Sequence, residues 1–181
     1  LNKEQGMNYL MRGIGVLATV GAISLLAFSL PSGEARGDGG DEALPKLTHK
    51  NWQQECASCH LAYPPAFLPK ASWQRLMGGL DQHFGENASL DPVTQADILR
   101  FLEAHAADSG NSPMGSKVMR RQGVDKAPLR ITETRWFVGK HDEVPRAAWS
   151  RKAVGSAANC AACHRQAEQG VFDEHEVRIP K

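Results

Sequence analysis

The sequence predicts a mainly α fold, with a helical N-terminal part and a smaller, less regular C-terminal part. Three observations carry this. Trp73, Leu76, Met77 and Leu80 recur at i, i+3, i+4 and i+7, which puts them on one helical face. Asp91-Pro92 is a capping residue followed by the residue best suited to a first helical position, and Ile98, Phe101, Leu102 and His105 then form a second apolar stripe. The pentapeptide Cys-x-x-Cys-His occurs twice, as CASCH at 56–60 and CAACH at 160–164, and uses all four cysteines of the chain.

The elements follow in order. A first helix is expected over Leu47–Ser58, ending at CASCH. Leu61–Lys70 reads as a loop, because Pro64, Pro65 and Pro69 break regular structure. A second helix runs from Ser72 to about Leu80, where Gly78 and Gly79 weaken it; His83 continues its apolar face. The third helix starts at Asp91-Pro92 and is expected to stop near Gly110. Asn111–Lys117 is read as a linker and the domain boundary. Lys117–Arg130 carries Arg120, Arg121 and Lys126, either as a solvated face or as cations for propionates or an acidic partner. Ile131–Val138, rich in Thr, Trp, Phe and Ile, is expected to be extended. Ala157–His164 is expected to be a short helix capped by Ser156, and Gln166–Lys181 to be irregular.

The N-terminus is distinct. Met7 to Arg12 precedes an uncharged apolar run from Ile14 to Leu30, and Gly33 and Ala35 then form a small-x-small site. That pattern predicts a signal peptide over 1–35, cleaved after Ala35, with residues 1–6 as a possible upstream extension. An uncleaved membrane anchor is the alternative. The expected parts are therefore 1–35, then 36–110 with the first motif, then 111–181 with the second. The 181-residue chain has a formal net charge of +1, which argues against a nucleic-acid partner.

Cys-x-x-Cys-His is the attachment pattern of haem c. The two sulfurs bond the porphyrin edge and the adjacent His coordinates iron. Two disulfides are the ordinary expectation for four cysteines in an exported chain. One four-thiolate zinc site is the other rival. Compact zinc modules separate their pairs by about 15–20 residues, far less than the gap between Cys59 and Cys160, and zinc leaves both histidines unexplained. The expectation is two covalently bound haem c groups, held by Cys56 and Cys59 with His60, and by Cys160 and Cys163 with His164. Covalent porphyrins also add core to a chain with little apolar surface to bury.

Residues 47–107 resemble a class I cytochrome c in their order of helix, motif, Pro-containing loop, helix, ligand loop and terminal helix. That family usually supplies a Met as second iron ligand; here no Met lies between Met77 and Asp91, and His83 stands in that place. A narrower resemblance rests on CASCHLAYPPAFLP, SWQRLMGGLDQHFGENASL, PLRITETRWFVGKH and SAANCAACHRQAEQGVF, which are similar to the bacterial periplasmic dihaem cytochrome c family. It implies a class I cytochrome c-like N-terminal haem domain, a smaller C-terminal haem domain, and two haems each ligated by two histidines. It also implies haem-protein partners, a small monohaem c-type cytochrome and a membrane b-type cytochrome, with membrane contact only through a partner or an uncleaved N-terminus.

Seven histidines are available. His83 is the expected second ligand of haem 1. His141, after RWFVGK, matches the family's position and is favoured for haem 2, with His49, His105, His175 and Met119 left open. Two filled iron positions imply a periplasmic electron carrier with two low-potential haems and no enzymatic activity. A small dihaem enzyme or a gas-binding cytochrome with one displaceable ligand is the alternative. A carbonyl in the Tyr63–Pro65 loop is the expected partner of the second His60 ring nitrogen.

Overall fold

In the computed structural model, which describes residues 44–122 and 127–181, helices start either at a side-chain cap or directly behind a proline. The expected export segment 1–35, the stretch 36–42 and Lys126 lie outside the described residues. Among the described residues there is no strand. The one paired bridge, His83 with Glu86, is isolated.

Helix α1 spans Lys50–Cys56 rather than Leu47–Ser58. His49 takes the N-cap: its Nδ1 accepts from the Trp52 N–H at 3.2 Å, so the helix starts later than the apolar pattern suggests. Helix α2, Lys70–Gly78, opens two residues before Ser72 behind Pro69 and ends at the glycine pair. Helix α3, Pro92–Ala104, begins as expected, with Asp91 Oδ1 accepting from Val93 N and Thr94 N, both at 3.0 Å. It stops at Ala104 and does not reach Gly110. The Ala107 N–H turns away to donate to the Leu68 carbonyl at 2.9 Å, which fastens the helix end to the loop after CASCH.

Trp52, Leu68, Trp73, Met77, Ile98, Leu102 and Ala106 form the core between these helices. Fully burying a side chain such as Ile98 or Leu102 contributes about 1.5–3 kcal/mol relative to exposure. Polar ties fix the helix positions: Gln95 Nε2 donates to the Met77 carbonyl at 2.6 Å, and Asn51 Nδ2 to Asp97 Oδ2 at 2.8 Å.

The second part is more helical than its sequence suggests. The expected linker 111–117 lies largely in helix α4, Pro113–Gln122. Ser112 is its unread cap: Ser112 Oγ accepts from Gly115 N at 3.2 Å, and Pro113 suits the first turn. Val118 and Gln122 are buried, so the basic segment is not a wholly solvated face. Gly115 lets α4 approach the chain closely, since a Cβ there would lie 2.6 Å from the Ala107 carbonyl oxygen. The expected extended segment 131–138 is instead a 3₁₀ turn, Ile131–Glu133, followed by helix α5, Arg135–Lys140. Buried Thr134 caps α5: its Oγ1 accepts from Phe137 N at 3.0 Å and donates to the Ile131 carbonyl at 2.7 Å. That local bonding outweighs the β-preference of the residue types. A short helix α6, Arg146–Trp149, follows. The expected helix 157–164 is a 3₁₀ turn, Cys160–Ala162, and the C-terminal stretch has only 3₁₀ turns.

A second apolar cluster joins Phe67, Ala107, Val118, Trp136 and Phe137. Phe67, from the loop after CASCH, reaches into it. Its ring lies 5.2 Å from Trp136 and 5.2 Å from Phe172, and Phe172 lies 5.4 Å from His164.

Candidate functional site

Cys56 is the last residue of α1, and Cys59 and His60 follow in the turn beyond it. His60 Nδ1 is 2.7 Å from the carbonyl of Leu61, not one in the Tyr63–Pro65 loop, because the peptide after the motif folds back under its own imidazole. With Nδ1–H donated there, Nε2 is the nitrogen left for a metal.

His83 ends the 3₁₀ turn Leu80–Gln82. A tight turn follows in which Phe84 and Gly85 both have positive φ, 54° and 105°, and Glu86 N donates to the His83 carbonyl at 3.1 Å. A non-Gly residue at positive φ is uncommon and strained. The Arg130 guanidinium lies 3.9 Å from the centre of the Phe84 ring and supports it by a cation–π contact. The His83 ring lies 6.1 Å from that of His60, with the two planes 26° apart. Burial pushes the His83 imidazolium pKa down, and the nearby His60 and Arg130 push it further. A neutral imidazole is the form that ligates metal.

The second motif has the same parts in a different frame. His164 follows the Cys160–Ala162 turn, and its N–H donates to the Cys160 carbonyl at 2.8 Å. His141 is the C-cap of α5. Its Nδ1 lies 2.9 Å from the Phe137 carbonyl, which again leaves Nε2 outward. The ring stacks on Phe137, centroids 4.0 Å apart, and stands 6.2 Å from His164 with the planes 80° apart. Burial lowers the His141 pKa; its bond to Phe137 opposes that, and Lys140 adds to it.

The other candidates have different surroundings. His49 caps α1, stacks on Phe101 at 4.5 Å and places Nε2 3.2 Å from Asp97 Oδ2. His105 caps the end of α3, with Nδ1 2.9 Å from the Phe101 carbonyl. His175 is exposed in a tail turn, and Met119 packs beside the second apolar cluster.

All four thiols are free of disulfides. Burial pushes the thiols of Cys56 and Cys160 up to about 11, with Glu55 adding to the shift at Cys56. Among the described residues no three His, Cys, Asp or Glu side chains gather as a metal site, so the four sulfurs do not form a zinc centre. A cleft of about 890 Å³ runs between the two motifs, walled by residues that include Cys59, Tyr63, Ser156 and Cys160. At each motif the donor set, two thiols with two residues between them followed at once by an imidazole, fits a covalently attached haem. A bound haem supplies a one-electron ferric/ferrous couple.

Sequence reasoning missed Tyr63, Phe84, Arg130, Phe137 and Thr134. Thr134 carried a readable signal, a capping residue three before Phe137; the Arg130–Phe84 pair and the Tyr63 hydroxyl, which donates to the Ala158 carbonyl at 2.7 Å, join distant positions and had none.

The dihaem cytochrome c family model matches residues 52–172. The chain is similar to a solved diheme cytochrome c from Rhodobacter sphaeroides, at 43% identity and TM-score 0.63, covering 70% of this chain and 98% of that one. It is also similar to the diheme cytochrome c of Shewanella baltica OS155, at 40% identity and TM-score 0.60, covering 72% of this chain and 92% of that one. No curated protein matches. With both attachment motifs inside the matched span, the chain belongs to the dihaem cytochrome c family: it is a c-type cytochrome that carries two covalently bound haem c groups.

Proposed function

We propose that this protein is an exported, periplasmic electron carrier whose two irons are each held by two histidines, His60 with His83 and His164 with His141. One observation carries the reading: each motif histidine faces a second imidazole, at 6.1 Å and 6.2 Å between ring centres. Two metal–nitrogen bonds of about 2.0 Å, plus about 1.1 Å from each ring nitrogen to its ring centre, give about 6.2 Å for imidazoles on opposite sides of one metal. Both second histidines also have Nδ1 or the local backbone tied down, and both have lowered pKa values.

With both axial positions filled by protein, no iron position is left for a substrate, which supports a carrier rather than an enzyme. Imidazole in place of a methionine thioether keeps both potentials low. Exposed Phe84 beside His83 and exposed Val138 on α5, three residues before His141, offer apolar contact near both centres to haem-protein partners, a small monohaem c-type cytochrome and a membrane b-type cytochrome. The division into 36–110 and 111–181 belongs to this reading, with the two parts sharing core: Phe67 and Ala107 are members of the second apolar cluster, and Ile131 packs against both clusters.

The test is carbon monoxide added to the dithionite-reduced holoprotein, with near-infrared magnetic circular dichroism of the ferric form. The expected result is no carbonyl complex and bis-imidazole bands from both haems. One equivalent of bound carbon monoxide per protein refutes the carrier reading and favours a dihaem enzyme or gas binder with a displaceable ligand.

A further inference from the structure

We propose that Arg130 is a positioning residue of the first haem site: acting through the Phe84 ring, it keeps His83 on the iron. The inference rests on the reading of His83 as the second ligand there and goes beyond it by naming what holds that ligand in place. His60 and His141 each set Nδ1 against a carbonyl, at 2.7 Å and 2.9 Å, and such a bond fixes how a ligating ring is turned. The His83 ring has no such partner among the described residues. Its ring neighbours are His60 opposite it and Phe84, whose centre lies 4.8 Å away with the planes 60° apart. The aim of His83 therefore depends on where Phe84 stands.

Phe84 is not held by burial or by backbone preference. It is 45% exposed and has a φ of 54°, in a region a non-Gly residue seldom occupies. The contact that holds it is the Arg130 guanidinium, 3.9 Å from its ring centre. Arg130 itself stands on a fixed base. It caps the 3₁₀ turn Ile131–Glu133, and its carbonyl accepts the Glu133 N–H at 3.1 Å. Three residues earlier, the Ala127 carbonyl accepts from Arg75 Nη1 of α2 at 2.8 Å. One residue later, Ile131 packs against both apolar clusters. A cation on a rigid segment of the second part thus latches a strained turn of the first.

For His83 to leave the iron the turn must open, and opening parts Phe84 from Arg130. The latch is lost in the open state, so its worth appears in how often the site opens. A cation–π contact at an exposed site contributes about 0.5–1 kcal/mol, which is about two- to five-fold in that equilibrium.

The experiment measures cyanide uptake at each haem of the ferric holoprotein near neutral pH, where the probe is uncharged hydrogen cyanide and a lost cation does not alter its approach. Wild type is compared with Arg130→Gln, Arg130→Lys, Phe84→Leu and the double variant Arg130→Gln/Phe84→Leu. The first haem is the one whose spectrum His83→Met alters. Arg130→Gln and Phe84→Leu are each expected to speed uptake at the first haem about two- to five-fold and to leave the second haem unchanged. Arg130→Lys, which keeps a cation without the planar guanidinium, is expected to fall between wild type and Arg130→Gln. The double variant is expected to be no faster than either single one, because both break the same contact. Equal first-haem rates in wild type and Arg130→Gln overturn the proposal, as do fully additive effects in the double variant. Equal acceleration at both haems also overturns it, since Arg130 would then be supporting the fold at large. If His83→Met alters neither haem, the ligand reading itself fails, whatever the rates do.

Discussion

Replacing Thr134 by Val tests how the second site is built. Thr134 is fully buried, and Val keeps its shape while removing the hydroxyl. The change deletes the side-chain cap of α5 and leaves the Phe137 N–H without the acceptor it has at 3.0 Å. The Ile131 carbonyl keeps the Thr134 backbone N–H at 3.0 Å, so only one buried group is orphaned. Loss of a cap costs about 0.5–2 kcal/mol, and an unsatisfied buried donor about 1–3 kcal/mol, two views of one bond that together bracket a loss of about 2 kcal/mol. Helix α5 has six residues, too few to persist without that support. Its C-cap is His141, so part of the cost appears as release of His141 from the second site. The assay is guanidinium unfolding of the ferric holoprotein followed in the Soret band, with cyanide-binding rates measured under native conditions. A loss of about 2 kcal/mol and faster cyanide uptake at one haem are expected, with Thr134→Ser close to wild type. A change below about 0.5 kcal/mol, within the range of ordinary surface substitutions, would refute the capping argument.

The ring planes at the two sites, 26° apart at one and 80° at the other, predict two distinct low-spin ferric signals in electron paramagnetic resonance, a rhombic one and a large-gmax one; two identical rhombic signals would contradict the geometry. His83→Met should raise the potential of one haem only and introduce a methionine-to-iron charge-transfer band, and a redox titration with both potentials unmoved would remove His83 from the first site. Gly115→Ala places a methyl 2.6 Å from the Ala107 carbonyl oxygen and should cost about 1–3 kcal/mol in denaturant unfolding, by forcing α4 away from the end of α3; a neutral result would mean the two segments separate without cost.

The first part was the more legible, for a physical reason. Its helices combine long apolar stripes with strong end signals: Asp91-Pro92 marks the start of α3, and the glycine pair marks the end of α2. His83 could be placed from its distance beyond Leu80. The second part has short helices whose stability comes from caps and from aromatic packing across the chain. Ser112-Pro113 and Thr134 were visible as capping residues. They were outweighed by composition, because a Ser/Gly/Pro cluster reads as a linker and a run of Thr, Trp and Phe reads as a strand. Tertiary contact decides such segments: Gly115 permits close approach to Ala107, and Phe67 comes from the first part to complete the second core. The motif cysteines and their histidines needed no fold to be found. The pairing of His141 with His164 did, since nothing local distinguishes His141 from His105, which likewise caps a helix end and bonds an i−4 carbonyl.

That likeness isolates what makes a helix-ending histidine available to a metal. Both rings bind the carbonyl four residues back through Nδ1, so both point Nε2 outward. His105 has Phe101 against it, ring centres 4.7 Å apart, on the helix that His49 and Trp52 also face. His141 has Phe137 on one side and His164 as its opposite number across 6.2 Å. The difference lies in what the rest of the chain sets opposite the ring. At the first site the same end is reached by another route, a strained Phe84-Gly85 turn supported by Arg130, a residue of the second part. Each half thus supplies a group that the other half's site depends on: Arg130 reaches the first, and Phe67 and Tyr63 reach the second. Such reciprocal contact ties the two sites to one folded state, so unfolding of either half should register in the spectrum of both haems, whereas a change of one histidine stays local.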